Sequence, residues 1–445
     1  MAGLIDYFRL LIHQRFYSEA RIKKYQQKQL KKLVAYAVRK SPFYRDLYQK
    51  KPFGSLEDFR RLPTINKQVM MEHLSQLNTI GANKEELIRF ALEAEVRKEI
   101  GYYRDEYVVG MSSGTSGNMG IYLTNKKLTR KLPFVFLARS GIPLSLLPYN
   151  ILFFLRVHSQ AFEDINSPFI KLKYMSTMTG IPQAIDEINR RRINILMAPP
   201  SFIRLVLPQA HEIKKKPEII LTYAEVLTPE EKEIFKDKFG CPVIEIYQAS
   251  EGQMASTCHH GNLHINEDLV YIELYDEQGS EVNDTATIPS KMIVTNLVNR
   301  AQPLIRYEMN DLVRLGEKCP CGSNFRVIRQ IIGRSDDILY FSGDREGDGE
   351  REGELIHIFP DLFARWIITQ NPNIREFRVV NNKINQVTVT IALFREEPEA
   401  GPDLKVRLLA ELSGYKVPAP EIEVVCAPIS LPTDKNKYKR FLREF

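Results

Sequence analysis

A helix signal between two apolar segments constrains the fold of this chain more than any other feature of its sequence. Thr228 can cap the helix, Glu231 completes a capping box with it, and Gly240 ends it. Apolar segments that read as strands precede and follow the helix, at 218–223 and 243–247. Strand, helix and strand at this spacing predict a largely parallel sheet covered by helices, with catalytic loops at the carboxyl ends of its strands.

The rest of the chain divides into regions with different patterns. Residues before position 100 read as helices joined by short loops, without candidate chemistry. A strand is predicted at 107–111 and another at 193–197, and tight turns after position 265 predict an antiparallel subdomain. Residues 343–354, rich in glycine and charge, read as a linker or insertion. The remainder predicts a helix around 360–368, a hairpin through 381–383, a helix around 403–412 and a strand at 421–425.

We therefore expect an α/β protein with a large N-terminal domain, containing mainly parallel sheets flanked by helices and an antiparallel subdomain, and a small C-terminal α+β domain. A chain of 445 residues is too long for one compact core, and 44% hydrophobic with 26% charged residues is ordinary globular composition. No segment is long and apolar enough to cross a bilayer, and charge appears too early for a secretory signal. We expect a cytoplasmic protein without a membrane partner.

Much of the net charge of +7 lies near the start of the sequence. Eight basic residues between positions 21 and 40 are interleaved at helical spacing with apolar residues such as Leu30, Leu33 and Val34. This pattern predicts the solvated face of a packed helix. No nucleic-acid docking motif accompanies it, so we expect no nucleic-acid partner. The excess charge can help to attract anionic substrates.

A loop rich in glycine and hydroxyl groups follows the strand at 107–111. Glycines let a backbone curl around an anion, while hydroxyl and amide groups donate hydrogen bonds to phosphate oxygens. The spacing is not that of a Walker loop, and an ordinary surface loop can have the same composition. The candidate phosphate-binding residues are Ser112, Ser113, Gly114, Thr115, Ser116 and Gly117.

Four later segments carry groups that suit a nucleotide. Tyr247, at the end of a strand, can stack on a base, and Glu251 can hold a divalent cation against phosphates. Asp311 can accept two ribose hydroxyl bonds, and Arg334 can bind phosphate or ribose oxygens. The tail from Leu431 to Lys437 adds a lysine. Taken one at a time, a tyrosine ending a strand is usually packing, and a charged tail is usually only solvated.

The order and spacing of these segments resemble the adenylate-forming superfamily, over residues 105–445. Within it the chain looks most like the phenylacetate–CoA ligase, coenzyme F390 synthetase and CapK group. The phrases that carry this resemblance are Thr-Tyr-Ala-Glu at 222–225, His-Ile-Asn-Glu-Asp at 264–268, Leu-Ile-Arg-Tyr at 304–307 and Cys-Pro-Cys-Gly at 319–322.

The resemblance implies ATP-dependent activation of a carboxylic acid to an acyl-adenylate, with release of pyrophosphate and transfer of the acyl group to CoA. It implies that the 112–117 loop holds the ATP phosphates, Tyr247 stacks on adenine and Glu251 binds Mg²⁺. Asp311 would hold the ribose, with Arg334 nearby.

The resemblance also implies a rotation between two domains. Asp336 or Asp337 would be the hinge between a large ATP- and acyl-binding domain, residues 1–336, and a small mobile domain, residues 337–445. Lys437 would neutralise charge while the substrate carboxylate attacks the α-phosphate. Its withdrawal would then admit the nucleophile.

Three residues depart from the pattern of this superfamily. Asn118 replaces the lysine that commonly follows the phosphate loop, so one countercharge is missing or comes from elsewhere. Gln248 replaces a common glycine, and Asn436 replaces the glycine before the tail lysine, where Lys435 also lies close to Lys437. These departures leave open a protein that binds nucleotide but turns over poorly.

Five cysteines, an odd number, argue against a disulfide framework. A Cys-Pro-Cys-Gly turn with an upstream cysteine and histidine suits a structural tetrahedral zinc site. The chosen ligands are Cys258, His264, Cys319 and Cys321, with His260 as the substitute. Reduced buried cysteines with locally satisfied histidines are the alternative, and no catalytic part is predicted for the site.

The acyl pocket implied by the resemblance includes Tyr223, Ala224, His158 and Ala249. With Phe153 and Phe154 nearby, these residues suit an aromatic or other apolar acid, although they would fill an ordinary core equally well. Three functions remain open: transfer to CoA, transfer to an amine or amino acid, and nucleotide binding without catalysis. A homodimer is compatible with the sequence, which does not determine the oligomeric state.

Overall fold

The computed structural model describes residues 2–48, 53–97, 101–111, 120–155, 160–177, 179–334, 337–343, 355–371, 373–418, 420–429 and 439–445. Within these ranges, no helix is long and apolar enough to span a membrane.

The described residues before position 98 form helices joined by short loops, as predicted. These are α1 (Ala2–Phe16), α2 (Glu19–Lys40), α3 (Pro42–Tyr48), α4 (Leu56–Arg60), α5 (Lys67–Glu72), α6 (Leu74–Leu77) and α7 (Lys84–Arg97). In α2, Leu30, Leu33 and Val34 are buried in a core with the adjacent helices, while the lysines are exposed. The predicted basic helix face is confirmed.

The next region alternates strands and helices and contains the central parallel sheet. Along the chain these are β1 (Tyr107–Met111), β2 (Ile121–Asn125), α8 (Lys126–Thr129), α9 (Leu132–Arg139), β3 (Tyr149–Leu155), α10 (Gln160–Glu163), β4 (Ile170–Ser176), α11 (Ile181–Arg191), β5 (Ile195–Met197), α12 (Pro200–Val206), β6 (Ile219–Thr222), α13 (Pro229–Phe239) and β7 (Val243–Ala249). Strands β4, β3, β5, β6 and β7 pair in parallel in that order, while β1 and β2 form an antiparallel pair. Thr228 and Glu231 form the predicted capping box, and Gly240 ends α13 with φ 68°.

The same sheet continues with antiparallel strands on the other side of β7. The strands that follow β7 along the chain are β8 (Gly252–Thr257), β9 (Leu263–Ile265), β10 (Val270–Tyr275), β11 (Lys291–Asn296), β12 (Tyr307–Met309), β13 (Asp311–Gly316) and β14 (Val327–Arg334). The sheet runs β7, β8, β9, β14, β13, whereas β10, β11 and β12 form a separate antiparallel sheet. The antiparallel region therefore begins before position 265. Only residues 250–251 join β7 to β8, and such a short connection cannot make a parallel crossover.

The C-terminal α+β unit has its own core. It contains β15 (Leu339–Ser342), β16 (Leu355–Ile358), α14 (Pro360–Gln370), β17 (Ile374–Lys383), β18 (Gln386–Leu393), α15 (Ala400–Gly414), β19 (Glu421–Cys426) and β20 (Phe441–Arg443). A four-stranded sheet, in the order β19, β18, β17, β20, packs on α14 and α15 through residues such as Phe377, Phe363 and Leu408.

Two sequence predictions for this unit concern a hairpin turn and a linker. The hairpin turn falls at residues 384–385 and not at 381–383, because the buried amide of Asn381 donates to the carbonyls of Lys383 and Gln386 and holds these residues in the ladder. The predicted linker at 343–354 lies outside the described residues beyond position 343. The boundary after residue 336 stays a prediction.

A buried network of alternating charges joins the large domain to the C-terminal unit. Glu376 of β17 accepts a hydrogen bond from Arg440 Nε at 2.8 Å and lies 3.7 Å from Arg204 Nη1 of α12. Glu231 of α13 pairs with Arg204, and its Oε1 lies 3.5 Å from Arg440 Nη1. Burial alone would raise the pKa of Glu376, but Arg440 and Arg204 together hold that pKa below its usual value.

We expect Glu376→Gln to lower the free energy of unfolding by about 3 kcal/mol, because it removes a carboxylate from the buried guanidinium groups of Arg204 and Arg440, which Glu231 still faces. Denaturant unfolding at neutral pH would measure the change. The exposed control Glu396→Gln should stay within about 0.5 kcal/mol of the unmodified protein.

The difference in free energy of unfolding between the protein and Glu376→Gln should depend on pH. Because folding lowers the pKa of Glu376, its contribution is present above the unfolded value, 4.5, and is lost as the pH falls through the folded value. The difference between the protein and Glu376→Gln should narrow on acidification through that window. A difference that is independent of pH would contradict the assignment.

Candidate active site

Two neighbouring parallel strands end at the same edge of the central sheet. The segment Thr222 to Glu225 comes at the end of β6, and Ala224 there has φ 66°. Tyr247 lies near the end of β7, and Glu251 lies in the short connection to β8. The predicted motifs therefore meet at a carboxyl edge, which is where open α/β sheets hold their ligands.

Tyr247, Asp311 and Arg334 lie together at this edge. The Tyr247 hydroxyl donates to Asp311 Oδ2 at 2.6 Å, and Arg334 Nε lies 3.4 Å from Asp311 Oδ1. Asp311 begins β13 and is paired in register with Arg334 at the end of β14. Burial, reinforced by the Asp311 carboxylate, raises the pKa of Tyr247 well above its usual value, so the phenol stays protonated as a donor.

Glu251 is held from two sides. The Tyr122 hydroxyl of β2 donates to Glu251 Oε1 at 2.7 Å, and Asn296 Nδ2 donates to the Glu251 carbonyl at 2.7 Å. Burial raises the pKa of Glu251, and the bond from Tyr122 acts in the opposite direction. The Tyr122 hydroxyl also lies 3.4 Å from that of Tyr307. Because β2 begins just after the 112–117 motif, Tyr122 connects this part of the chain to Glu251.

The sequence did not point to Tyr122, Tyr307 or Lys67 as site residues. Lys67 begins α5, and its segment is tied to β12 by hydrogen bonds from Ile65 N to the Arg306 carbonyl and from Glu308 N to the Ile65 carbonyl. Burial lowers the pKa of Lys67, with the Glu251 carboxylate opposing this shift and the Arg334 guanidinium adding to it. A half-buried lysine thus lies close enough to feel both site charges, in a region where the sequence predicts no chemistry.

The predicted pocket residues lie against an aromatic group. Tyr223 donates its hydroxyl to the Phe154 carbonyl, and its ring centroid lies 5.3 Å from that of Phe153. Phe162 and Tyr174 also pack against Phe153. Burial, followed by the charge of Glu225, raises the pKa of Tyr223. Ala224 and Ala249 lie at the same carboxyl edge, since they directly follow or end neighbouring strands.

Several predicted residues lie outside the described residues. These are Ser112, Ser113, Gly114, Thr115, Ser116, Gly117, His158, Asp336 and Lys437. The other hinge candidate, Asp337, is described, and its Oδ1 lies 4.0 Å from Lys439 Nζ. Burial acts to lower the pKa of Arg334, but the charges of Asp311, Asp337 and Glu251 together raise it above its usual value. The tail at Lys439 therefore reaches the neighbourhood of the Asp311–Arg334 pair.

Cys258, His264, Cys319 and Cys321 form a cluster about the antiparallel strands. Their ligand atoms all lie within 4.8 Å of one another. The Cys258 and Cys319 Sγ atoms are 3.6 Å apart, and Cys321 Sγ lies 3.4 Å from His264 Nε2. The structure thus brings together the four predicted ligands, whereas His260 contributes its backbone N–H, which donates to Cys258 Sγ at 3.4 Å.

Neighbouring polar groups hold the Cys319 sulfur and the His264 ring of this cluster. Asn262 Nδ2 donates to Cys319 Sγ at 3.1 Å. His264 Nδ1 lies 3.0 Å from the Phe325 carbonyl, which fixes the ring and leaves Nε2 directed at the cluster. Gly141 allows the chain to pass close behind, because a Cβ there would lie 2.6 Å from the Cys258 carbonyl carbon.

Comparison with known proteins identifies relatives of this chain. No family model matches the sequence. The chain is 25% identical to a phenylacetate–coenzyme A ligase of Thermus thermophilus over 399 residues, which cover 83% of this chain and 82% of the relative. It is 22% identical to protein CapK of Staphylococcus aureus over 332 residues, covering 71% of this chain and 68% of CapK.

Solved structures extend the comparison to nearly the whole chain. A 2-hydroxyisobutyryl-CoA ligase in the postadenylation state matches with a TM-score of 0.72 and 16% identity, covering 97% of this chain and 91% of the other. An anthranilate CoA ligase bound to anthranoyl-AMP matches with a TM-score of 0.55 and 15% identity, over 75% and 65% of the two chains. This chain has the fold of the adenylate-forming ligases.

The resemblance seen in the sequence and the predicted fold class are therefore confirmed. Within this adenylate-forming fold, the arrangement is more similar to the postadenylation structure of the 2-hydroxyisobutyryl-CoA ligase, with its TM-score of 0.72, than to the thioesterification structure of that ligase, with 0.59.

Proposed function

We propose that this protein uses ATP to convert a carboxylic acid to an acyl-adenylate, releases pyrophosphate and transfers the acyl group to CoA. The observation that carries this proposal is the convergence of Tyr247, Glu251, Asp311 and Arg334 at one carboxyl edge. It is supported by relatives that are phenylacetate–coenzyme A ligases and by solved neighbours that hold an acyl-AMP or CoA.

Different groups at this edge suit the adenine, the ribose and the phosphates of ATP. Asp311, held by Tyr247 and Arg334, presents carboxylate oxygens suited to ribose hydroxyls. Tyr247 is 8% exposed, so an adenine that stacks on it would reach only the uncovered part of the ring. Glu251, oriented by Tyr122, would hold Mg²⁺, which bridges and neutralises phosphate oxygens. The 112–117 loop would hold the phosphates. Adenylation needs positioning and countercharge more than covalent help from the protein.

Two lysines are proposed to supply the countercharge that Asn118 does not. The charges of Glu251 and Arg334 both act on the pKa of Lys67, which supports a place for this lysine near the bound phosphates. Lys437 comes two residues before Lys439, which lies beside Asp337. A tail lysine near this edge can stabilise the charge that develops as pyrophosphate leaves, and rotation about Asp336 or Asp337 can then withdraw it.

The acceptor and the acid are proposed from different observations. Solved neighbours with both an acyl-AMP and CoA favour CoA as the acceptor over an amine, and over a protein that only binds nucleotide. The aromatic group around Phe153, with Tyr223, Phe162 and Tyr174, supports an aromatic or other apolar acid. All five cysteines are free thiols, which supports a cytoplasmic location. A homodimer stays a prediction.

We also propose that the cysteine–histidine cluster binds one structural zinc ion. Tetrahedral zinc with Zn–S of about 2.3 Å and Zn–N of about 2.0 Å has ligand–ligand edges of about 3.5–3.8 Å. The Cys258–Cys319 and Cys321–His264 separations are 3.6 and 3.4 Å, close to those edges before any ion draws the ligands in. Such an ion would tie β8 and β9 to the β13–β14 connection, away from the reacting groups.

Carboxylate-dependent exchange of labelled pyrophosphate into ATP tests the function. We expect exchange with one or more acids in an aromatic and aliphatic panel, followed by CoA consumption when CoA is offered. Lys437→Ala should lower the exchange rate by about 10²–10³-fold, because a transition-state countercharge is lost. Lys435→Ala is the matched control and should retain exchange. Equal rates for Lys437→Ala and the unmodified protein would contradict the tail assignment.

Lys67→Met should lower the pyrophosphate-exchange rate by about 10²-fold, because it removes a charge close to the phosphates. Lys67→Arg should recover part of the loss, since it restores the charge with a different shape. Lys127→Met, on the exposed surface of α8, is the control and should leave the rate unchanged. Normal exchange by Lys67→Met would exclude this lysine from phosphate binding.

Elemental analysis of protein purified without chelator should find about one zinc per chain. Cys319→Ser/Cys321→Ser should lose the metal and lower the unfolding temperature, because the ion no longer holds the antiparallel strands together. Cys426→Ser, an exposed cysteine outside the cluster, should keep both. If the unmodified protein contains no zinc, the proposed metal site is wrong, whereas the proposed reaction is unaffected.

A further inference from the structure

The first helix is apolar on two faces, and only one of them packs against the protein. Along its outward face run Leu4, Ile5, Phe8, Ile12 and Phe16. Their spacing places them within one sector of a helix, and each is between 46% and 71% exposed. Isolated surface leucines are ordinary, but a stripe of five large apolar side chains along one helix marks an interaction surface.

The opposite face of α1 is anchored, so the outward face cannot turn inwards. Leu10 is buried against α9, and the Leu10 carbonyl accepts a hydrogen bond from Arg139 Nη1 at 2.8 Å. His13 Nδ1 lies 2.8 Å from Asp268 Oδ2, and Arg139 Nη2 donates to both oxygens of the same carboxylate at 2.7 Å. These buried polar bonds fix the rotation of the helix about its axis.

The segment that carries this apolar face is strongly positive, and Arg9 and Arg15 of α1 itself are exposed. Residues 1–40 contain ten lysines and arginines but only two acidic residues, so this segment accounts for the whole net charge of +7. The ring of His13 lies 4.8 Å from that of Tyr25, which places the first turns of α2 beside the C-terminal half of α1. Lys23, Lys24 and Lys28 in these turns are exposed.

Aromatic and aliphatic side chains bordered by lysines and arginines match the surface of an anionic bilayer, with its apolar interior and negative headgroups. A second copy of the chain fits less well, because two such segments face to face would bring strongly positive regions together. With fifteen residues, α1 is too short to cross a bilayer and would lie along its surface.

We propose that α1 docks this protein on anionic lipid membranes, with Phe8, Ile12 and Phe16 inserted at the headgroup boundary and the basic start of α2 against the headgroups. This assignment revises the sequence-based expectation of no membrane partner. It goes beyond the proposed reaction and does not depend on it, because none of these side chains belongs to the candidate active site.

Sedimentation of the full chain with vesicles tests the proposal. We expect binding to vesicles of phosphatidylcholine mixed with phosphatidylglycerol, little binding to phosphatidylcholine alone, and weaker binding as salt is raised. Phe8→Ser/Phe16→Ser should lower the partition coefficient by about tenfold or more. Val406→Ser, which removes an apolar side chain that is 69% exposed on α15, should bind normally.

A charge-reversal pair separates the electrostatic contribution. Lys23→Glu/Lys24→Glu should weaken binding to the anionic vesicles, whereas Lys214→Glu/Lys215→Glu, an equal change at exposed lysines elsewhere, should have a much smaller effect. Circular dichroism and the pyrophosphate-exchange rate check that each variant is folded. Three outcomes would overturn the proposal: no sedimentation with anionic vesicles, equal binding by Phe8→Ser/Phe16→Ser, or a dimer in solution that this double substitution abolishes.

Discussion

The two-residue connection between β7 and β8 is the constraint on which the candidate site depends. It forces the chain to reverse direction at once, so the parallel half of the sheet ends there and the antiparallel half begins. Glu251 is consequently held at the sheet edge, while Tyr247 stays in the ladder beneath it. The antiparallel half then returns Asp311 and Arg334, in register, to the Tyr247 hydroxyl.

The site combines partly buried carboxylates with cationic side chains from distant parts of the sequence. Burial raises the pKa of Glu251 and lowers that of Lys67, so each group is shifted toward its neutral form in the absence of a partner. A magnesium ion beside the carboxylate and a phosphate beside the lysine would favour the charged forms. A metal-bound nucleotide, the ligand of the proposed function, would bring both charges.

Three of the chain's regions have separate structural tasks around that site. The cysteine–histidine cluster lies where the proposed zinc ion would hold the antiparallel strands together, and the network of Glu376, Arg440, Arg204 and Glu231 joins the C-terminal unit to α12 and α13. The first helix is fixed by Arg139 and Asp268 and directs its remaining apolar face outwards. The pairs Arg204–Glu376 and Arg440–Glu231 join residues of the two units, so a rotation of one unit against the other would have to break them.

The sequence by itself determined the local elements and the order of the motifs. The capping box of α13, the parallel strands on either side of it and the period of α2 follow from short-range preferences that a single sequence displays. Resemblance identified Tyr247, Glu251, Asp311 and Arg334, and spacing with resemblance identified the four cluster residues. Only the tertiary structure decided that Tyr122 contacts Glu251, that the hairpin turns at 384–385, and that α1 exposes its second apolar face. Those features depend on contacts between residues far apart in sequence, or on which face a neighbour covers, and no local pattern encodes either.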